Sequence, residues 1–549
     1  MISHSILSLS LFIISLFLYR YSFPYPLVEY LSVFFPLFLL GFLPNFLYRR
    51  WGRIFTICFG VLFVRFGALT GALTTIPEWT SLHPLLWGAI LGILSREHFL
   101  IFMGRGKQTA DISDKDPIRR RLALNPSPGQ KLPYWMEPDI WMVFFLSILV
   151  IERTLQYFPW SFETGINFAD GFFIKGLSYR EAFGLTWMYW DNIVPVIWYI
   201  FTEERCSSDL DNPNKHWIIG LTIGYLIQAV IILEQTFLNP NLLMMATGES
   251  LKVGRVAGLW RDSGSASWII PTLGLYLAWK VWERRGIWRE SSRRMLSIFI
   301  LLITGILGLK LGKTFWLAYG AGLFGFLIYF VLRKILHPND WIQGAFRTFV
   351  FVLILSFGFS LLWFGENQKL VPALSHASSL LKKTISGEKL DDLDYRSKLM
   401  NASMDLWKDS KFFGNGFGSM IVHLKDLKSP IQERPRNNFV DTPANFYLGW
   451  LGETGILGCL LLAMYVFLKT YIAQNAKYLL LLVIPFMTGY QITHADGAFV
   501  VFFLLSGTRI IENSRSKLLS KVDLMKIIWM VFAIGISLHY LVFAIFRHT

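Results

Sequence analysis

The stretch MLSIFILLITGILGLKLG, residues 295–312, decides the class of fold, and its only charged side chain is that of Lys310. A helix of roughly 20 apolar residues crosses the hydrocarbon core of a bilayer, so this stretch predicts a membrane span. Arg293 and Arg294 precede it, and a second apolar run follows Lys313 after a very short turn. The pattern predicts two adjacent antiparallel membrane helices.

The composition of the whole chain extends this prediction. Of 549 residues, 54% are hydrophobic and only 16% are charged, with a mean hydropathy of +0.45. Soluble proteins are about a quarter charged, so the composition excludes a cytosolic enzyme, a disordered protein and a secreted disulfide scaffold. The three cysteines are odd in number and match no metal-binding pattern, so we predict no disulfide framework and no zinc site.

Hydropathy along the chain predicts an all-α fold, a polytopic transmembrane helical bundle of about 12–15 spans. Residues 477–507 are either a hairpin of two spans or one kinked helix. No small-residue cleavage site follows the first run, so we expect an uncleaved first helix. The candidate spans are residues 5–19, 24–48, 53–76, 81–104, 139–158, 186–202, 217–237, 266–283, 295–312, 314–334, 346–365, 443–471, 477–491, 496–507 and 525–546.

The formal net charge of +15 is interpreted loop by loop, because cytoplasmic loops collect Lys and Arg; we predict no nucleic-acid partner. A cytoplasmic N-terminus places every basic cluster inside, provided that residues 477–507 form a hairpin, so we expect a multi-pass membrane protein whose N-terminus is cytoplasmic. The predicted divisions are N-terminal membrane helices 1–104, a cytoplasmic loop 105–138, a central bundle 139–365, a large periplasmic loop 366–441 and C-terminal membrane helices 442–549.

The loop of residues 366–441 is nearly neutral, with 12 Lys and Arg against 10 Asp and Glu. Apolar residues recur in it at helical spacing, with Met400, Met404 and Trp407 on one stripe and Leu399, Ala402 and Leu406 on the next. Two interpretations are open. The loop carries an amphipathic helix resting on the membrane surface, or it is a structured lid over a site.

Several charged residues fall in or beside the predicted spans, where burial of a charge is expensive and marks either function or a paired structural role. Most of them reach the outer part of the bundle, where the positive-inside bias does not require Lys or Arg. Basic groups at that level suit an anionic ligand such as a pyrophosphate. The residues are Arg65, Glu152, Arg153, Asp191, Glu234, Arg255, Arg261, Lys310 and Lys313.

Three stretches, in this order, resemble the O-antigen ligase and O-antigen polymerase superfamily. Residues 255–260, RVAGLW, are similar to the family's Arg-x-x-Gly motif before a helix. Residues 312–318, GKTFWLA, are similar to its Ser-Arg-x-x-Trp-Leu-Ala turn, with Lys313 in place of Arg. The third stretch has Arg396 at the start of the amphipathic helix, glycines at 414–418, and NFYL and ETGILG within residues 445–458.

This resemblance implies a multi-pass glycosyltransferase of the bacterial inner membrane that uses no metal and no cofactor. Such an enzyme moves a sugar chain from undecaprenyl pyrophosphate to an acceptor glycan or glycolipid on the periplasmic face. It implies that Arg255, Arg261, Lys313 and Asn445 bind the pyrophosphate-linked substrate, and it places Arg396 among the catalytic residues. Membrane lipid is the other expected partner.

The chain departs from the family pattern at the position of the general base. Ligases carry a His directly before the Asn of the post-loop helix, where this chain has Ala444. The candidates are Asp441 and, second, His423, with His494 as a further choice. The alternative role for Asp441 is the N-cap of the following helix, which Pro443 favours.

Two other classes of function stay open on the sequence. A transporter or flippase of lipid-linked oligosaccharide would also carry many spans and intramembrane charges, although it would usually show repeat symmetry, and we find no internal repeat. A membrane bundle that only scaffolds other envelope enzymes is the third possibility.

Overall fold

The computed structural model describes a set of segments along most of the chain. These are residues 2–22, 27–62, 82–103, 134–157, 179–206, 213–240, 242, 256–260, 263–283, 290–336, 391–416, 419, 445–473, 478, 481–482, 485–486, 495–506 and 516–546. Within them the regular structure is helical and contains no strand. The predicted all-α class is confirmed.

The α-helices follow the predicted spans closely. They are α1 (Ile2–Ser22), α2 (Leu27–Leu47), α3 (Arg49–Leu62), α4 (Leu82–Phe102), α5 (Pro138–Tyr157), α6 (Tyr179–Cys206), α7 (Pro213–Phe237), α8 (Ser263–Glu283), α9 (Glu290–Leu307), α10 (Lys313–Leu336), α11 (Asp391–Asp409), α12 (Phe446–Ala473), α13 (Ala495–Ser506) and α14 (Ser516–Phe546).

Five stretches in the described part of the chain are long and apolar enough to cross a membrane. They lie in α4, in α7, in α9 with the 3₁₀ turn that follows it, in α12 and in α14. The protein is therefore a multi-pass helical membrane protein. The predicted total of about 12–15 spans and the predicted divisions of the chain stay predictions, and the span 346–365 lies outside the described residues.

Small residues let neighbouring helices approach closely, as is typical of helix packing in membranes. Gly41 of α2 and Gly88 of α4 lie at such a crossing, where an added Cβ would come within 3.0 Å of the opposite backbone. Gly220 and Gly224 of α7 lie in the same way against Ile57 and Val61 of α3. Packing density at these crossings, rather than burial from water alone, holds the helices together.

One end of the bundle, here called the ion-pair end, collects buried charges on the ends of several helices. Arg53 at the start of α3 donates from Nε to Glu203 near the end of α6. Lys469 near the end of α12 donates from Nζ to Asp139 Oδ2 at 3.1 Å and to Glu204 Oε2 at 3.4 Å. Because these buried charges lie beside opposite ones, their mutual attraction offsets part of the penalty for removing them from water.

The ion-pair end and the family motifs lie at opposite ends of the same helices. On α12, Lys469 is separated from Gly455 by 14 residues, which is about 21 Å at the rise of an α-helix. On α14, Tyr540 and Lys526 are also 14 residues apart. Lys526 lies at the ion-pair end, where its Nζ bonds Glu137 Oε2 at 3.1 Å. The opposite end is called the motif end, and it is defined by Val256, Lys310, Gly414 and Gly455.

Contacts of the described residues favour the hairpin over the single kinked helix for residues 477–507. Tyr478 donates to Glu283 Oε2, at the end of α8, while Phe486 packs on Phe446 at the start of α12. Tyr478 therefore lies at the end of α8, whereas Phe486 lies beside the start of α12. Helix α13 then returns, because Phe503 stacks on Trp217 near the start of α7.

Candidate active site at the motif end

The first feature of the motif end is a break in helix α12. Gly455 has φ 66° and ψ −170°, which divides the helix into residues 446–454 and 456–473. A positive φ of this kind is open to glycine and strained for other residues. Breaking a helix in this way exposes carbonyls on one side of the break and amide N–H groups on the other.

The segment that follows α11 fills the break. The amides of Asn415 and Gly416 donate to the carbonyls of Gly452 at 3.2 Å and Glu453 at 2.9 Å. In the reverse direction, the amides of Ile456 and Leu457 donate to carbonyls in residues 411–412, both at 3.0 Å. Backbone groups at membrane depth must find partners inside the protein, and this reciprocal set supplies them.

Two further side chains form hydrogen bonds at the break. Thr454 Oγ1 donates to the carbonyl of Trp450 at 2.7 Å, and the side-chain amide of Asn415 donates to the carbonyl of Leu406, near the end of α11. The segment of residues 410–416, here called the insert, is therefore bonded to both halves of α12 and to its own preceding helix.

The last helix also reaches the break. The single hydroxyl proton of Tyr540 is shared between the carbonyl of Thr454, at 2.9 Å, and the carbonyl of Phe413. The neighbouring His539 stacks on Phe413 with ring centroids 3.6 Å apart. Three separate parts of the chain, the insert, α12 and α14, thus meet at one point.

Helix α11 lies on the first half of α12 rather than apart from the bundle. Leu399, Ala402 and Leu406 are buried, and Ser403 beside them is 1% exposed. At Gly452 an added Cβ would lie 3.1 Å from the carbonyl oxygen of Ser403, so the two backbones are very close. The predicted amphipathic helix is confirmed, and the described contacts favour a structured element packed on the bundle. It begins at Asp391, so the expectation that Arg396 starts it was wrong.

The second feature of the motif end joins the first two sequence motifs. The amide of Val256, the residue after Arg255, donates to the carbonyl of Lys310 at 3.3 Å. The amide of Gly312 donates to Ser267 Oγ at 2.8 Å, and α10 begins at the next residue, Lys313. Stretches of chain about 55 positions apart are therefore neighbours in the fold.

Two glutamines of α7 hold the turn of residues 256–260 in place. Gln228 accepts from the amide of Leu259 at 3.0 Å, and Gln235 accepts from the amide of Gly258 at 2.8 Å. Gly258 has φ 65°, and an added Cβ would lie 2.5 Å from Gln228 Oε1. The glycine of the predicted Arg-x-x-Gly motif is thus required by both the backbone conformation and the space beside it.

Asn445 is the one predicted substrate-binding residue whose side-chain surroundings are described. Its Oδ1 accepts from the amide of Leu448 at 3.2 Å, which is the geometry of an N-cap for α12. The expectation that Asp441 caps this helix was therefore wrong, because the helix begins at Phe446 and Asn445 occupies the cap position. Binding of substrate by Asn445 stays a prediction.

The remaining predicted site residues are placed only in part. Lys313 and Arg396 are described as positions in helices α10 and α11. Those outside the described residues are Arg255, Arg261, His423, Asp441 and His494. The convergence of Arg255, Lys313 and Arg396 on one cavity stays a prediction, and so does the identity of the base.

The intramembrane charges have differing environments. Glu152 of α5 is 3% exposed, whereas Glu234 and Lys310 are partly exposed. Arg65 lies outside the described residues, and Arg153 and Asp191 are described as helix positions only. Within the described ranges, no group of three His, Cys, Asp or Glu side chains could hold a metal ion.

Residues 298–463 match the family model of O-antigen ligase. This part of the chain is therefore similar to O-antigen ligases. The resemblance predicted from the sequence is thereby confirmed. The match contains the turn at Lys313, all of α11 and the break at Gly455, whereas the turn of residues 256–260 precedes it. No curated protein matches the chain.

The O-antigen ligase match supports glycosyl transfer of the ligase or polymerase type, with a lipid-linked glycan as the class of substrate. The structure adds functional candidates that the sequence did not suggest, namely Gln228, Gln235 and Tyr540. The sequence could have indicated the two glutamines, since they are polar residues seven positions apart in an apolar span and therefore share one helix face. Tyr540 had none, because a tyrosine in a membrane helix is common.

Proposed function

We propose that the protein transfers or polymerises glycan chains carried on undecaprenyl pyrophosphate, on the periplasmic face of the bacterial inner membrane. The acceptor is a glycan or glycolipid. The single observation that supports this most strongly is the hydrogen bond from the Val256 amide to the Lys310 carbonyl. It makes neighbours of two basic family motifs that are distant in sequence.

The chemistry of the proposal is a substitution at the anomeric carbon. The acceptor hydroxyl oxygen forms a bond to that carbon, the bond from the carbon to the pyrophosphate oxygen breaks, and the hydroxyl proton passes to a base. Guanidinium and ammonium groups stabilise the charge that develops on the departing pyrophosphate. Arg255, Arg261 and Lys313 are proposed for this role.

The orientation belongs to the same proposal. The ion-pair end carries Arg49, Arg50 and Arg53 at the start of α3, and basic residues at helix ends favour the cytoplasm. The motif end is then periplasmic, which agrees with a substrate that presents its glycan on that face. Helix α1 begins at the cytoplasmic side in this orientation.

Variants of the basic residues test the site. Arg255→Ala is expected to abolish chain transfer at normal protein level, and Lys313→Arg is expected to be tolerated because the family usually has Arg there. Lys408→Ala is the matched control, since Lys408 is a basic residue of the same end whose side chain is 60% exposed and paired only locally with Asp405. Equal activity of Arg255→Ala and Lys408→Ala would contradict the proposed role.

A purified-protein assay separates the proposal from the alternative of a transporter or flippase. The protein in detergent is mixed with a lipid-linked glycan and an acceptor glycan, and the new glycosidic bond is detected by mass spectrometry. A transferase forms product without a membrane gradient, whereas a flippase forms none. Gene deletion then distinguishes the two enzyme types, because a polymerase mutant retains single repeat units and a ligase mutant loses all attached chains.

A further inference from the structure

Tyr540 has an unusual position for a residue of the last helix, because its hydroxyl bonds carbonyls from two other parts of the chain. The carbonyl oxygens of Thr454, the last residue of the first half of α12, and of Phe413, in the middle of the insert, both lie within hydrogen-bond distance of this hydroxyl and share its single proton. Its side chain is 3% exposed. Tyr540 therefore lies at the contact between the insert and the break of α12.

The bond to Thr454 has a backbone reason. A helix break removes the amide partners of the last carbonyls before it, and in this break Gly452 and Glu453 receive theirs from the insert. The carbonyl of Thr454 receives its partner from Tyr540 instead. Tyr540 thus completes a set of hydrogen bonds that the insert alone leaves incomplete.

The bond to Phe413 extends this effect to α11. The insert continues directly from that helix, and Asn415 ties it back to the carbonyl of Leu406 in the last turn. Helix α11 is packed on α12, where Leu406 and the carbonyl of Ser403 lie beside Gly452. Arg396 lies about two turns before Ser403 on the same helix. Fixing the insert therefore fixes the end of the helix that carries Arg396.

We propose that Tyr540 is a positioning residue that holds the insert in the break of α12 and so keeps α11, with Arg396, in register for glycan transfer. The consequence for the reaction rests on the proposed function. The holding of the insert does not, since it depends only on hydrogen bonds of the folded chain.

The first arm of the test measures the insert itself. Tyr540→Phe removes the hydroxyl and keeps the ring. Amide hydrogen exchange of peptides that contain residues 410–416 and 456–457 is expected to accelerate about tenfold, the factor that corresponds to the loss of one buried hydrogen bond. The matched control is Tyr225→Phe, which removes a buried hydroxyl bonded to Thr304 Oγ1 at 2.7 Å between α7 and α9. The control is expected to leave exchange at the insert unchanged.

The second arm measures transfer and its rescue. Tyr540→Phe is expected to lower the rate of glycan transfer about tenfold at unchanged protein level, while Tyr225→Phe keeps the wild-type rate. Cysteines at Phe413 and His539, whose rings are in contact, are then joined by a short bis-maleimide in a background without Cys58, Cys206 and Cys459. Joining them is expected to restore transfer in the Tyr540→Phe protein, which a general loss of stability would not allow.

The outcomes separate the two proposals. Unchanged exchange in Tyr540→Phe overturns the holding role, and faster exchange with an unchanged transfer rate overturns the positioning role. Faster exchange, slower transfer and rescue by the crosslink support both roles. Absence of transfer in the wild-type protein would instead count against the proposed function, and the exchange arm would still decide whether Tyr540 holds the insert.

Discussion

Gly414 and Gly455 face each other so closely that neither position has room for a side chain. A Cβ added at Gly414 would lie 2.5 Å from the amide nitrogen of Gly455, and one added at Gly455 would lie 2.5 Å from the amide nitrogen of Gly414. Both glycines have positive φ, 71° and 66° respectively. This contact explains why glycines occur in both parts of the third family motif, separated by about 40 positions in the chain.

The first prediction concerns this glycine pair. A left-handed backbone conformation costs a residue with a Cβ about 1–2 kcal/mol. Gly455→Ala is expected to lower the free energy of unfolding by more than this, because steric overlap adds to the backbone strain. Gly414→Ala is expected to behave alike. The free energy of unfolding, measured by chemical denaturation in mixed micelles, gives the comparison.

Gly320→Ala is the matched control for the glycine pair, since an added Cβ there meets nothing within 4 Å. It lies inside α10, where alanine is the better helix former, so its stability is expected to stay equal or to rise slightly. Equal stabilities of Gly455→Ala and Gly320→Ala would show that the insert does not occupy the break.

Much of this architecture could be predicted from the sequence, and the reason is physical. Apolar runs must become helices in a bilayer because their backbone groups need internal partners, so the spans around Lys310 and Lys469 were predicted nearly to their ends. The interlock of Gly414 with Gly455 could not be predicted in this way. It depends on tertiary contacts, and sequence spacing shows only that each glycine favours a turn.

Two residues before α12, Asp441 and Asn445, have side chains suited to an N-cap. Pro443 favours Asp441 as the cap, because Pro is common in the first turn of a helix and Asp441 lies just before it. Asn445 is equally good by type and lies directly before the helix. Only the bond from the Leu448 amide to Asn445 Oδ1 decides between them.

The second prediction concerns the buried charges of the ion-pair end. Lys469 is 6% exposed and bonds Asp139, which also accepts from the hydroxyl of Tyr465 at 2.7 Å. Lys469→Met is expected to destabilise the protein by about 3–5 kcal/mol, because it leaves a buried carboxylate without its cation. Chemical denaturation in mixed micelles measures the change.

A second variant distinguishes the loss of charge pairing from the loss of packing. Lys469→Met combined with Asp139→Asn removes both charges, and it is expected to recover part of the lost stability. Lys408→Met, in an exposed pair with Asp405, is expected to change stability by about 0–1 kcal/mol. If the double variant is no more stable than the single one, the ion pair is not the cause.

The third prediction concerns the orientation of the two ends. Single cysteines replace Lys408 at the motif end and Arg50 at the ion-pair end, both exposed, in a background without the three native cysteines. An impermeant thiol reagent is expected to label position 408 in intact cells and position 50 only after permeabilisation. Cysteines at Ser386 and Ser127, in the two predicted loops outside the described residues, are expected to follow the same pattern. Labelling of position 50 in intact cells would reverse the orientation.

The last prediction concerns the general base, which the family places at the position of Ala444. Asp441 is the first candidate because it lies four residues before Asn445, and His423 is the second because imidazole accepts a proton near neutral pH. Loss of the true base is expected to lower the rate of transfer by about 10²–10⁴-fold. Asp441→Asn and His423→Ala, each assayed with purified protein, lipid-linked glycan and acceptor, provide the comparison.

The N-cap at Asn445 separates the two roles considered for Asp441, general base and helix cap. A loss of activity in Asp441→Asn cannot be attributed to a lost cap of α12, because Asn445 supplies that cap. Asn445→Ala serves as the control for capping, and it is expected to cost about 1 kcal/mol of stability. Asn445→Asp keeps the cap and is expected to recover that stability.

If Asp441→Asn and His423→Ala both keep wild-type rates, neither residue is the base. His494, before the start of α13, then becomes the candidate, and a normal rate in His494→Ala would mean that the acceptor hydroxyl loses its proton without any of these three side chains.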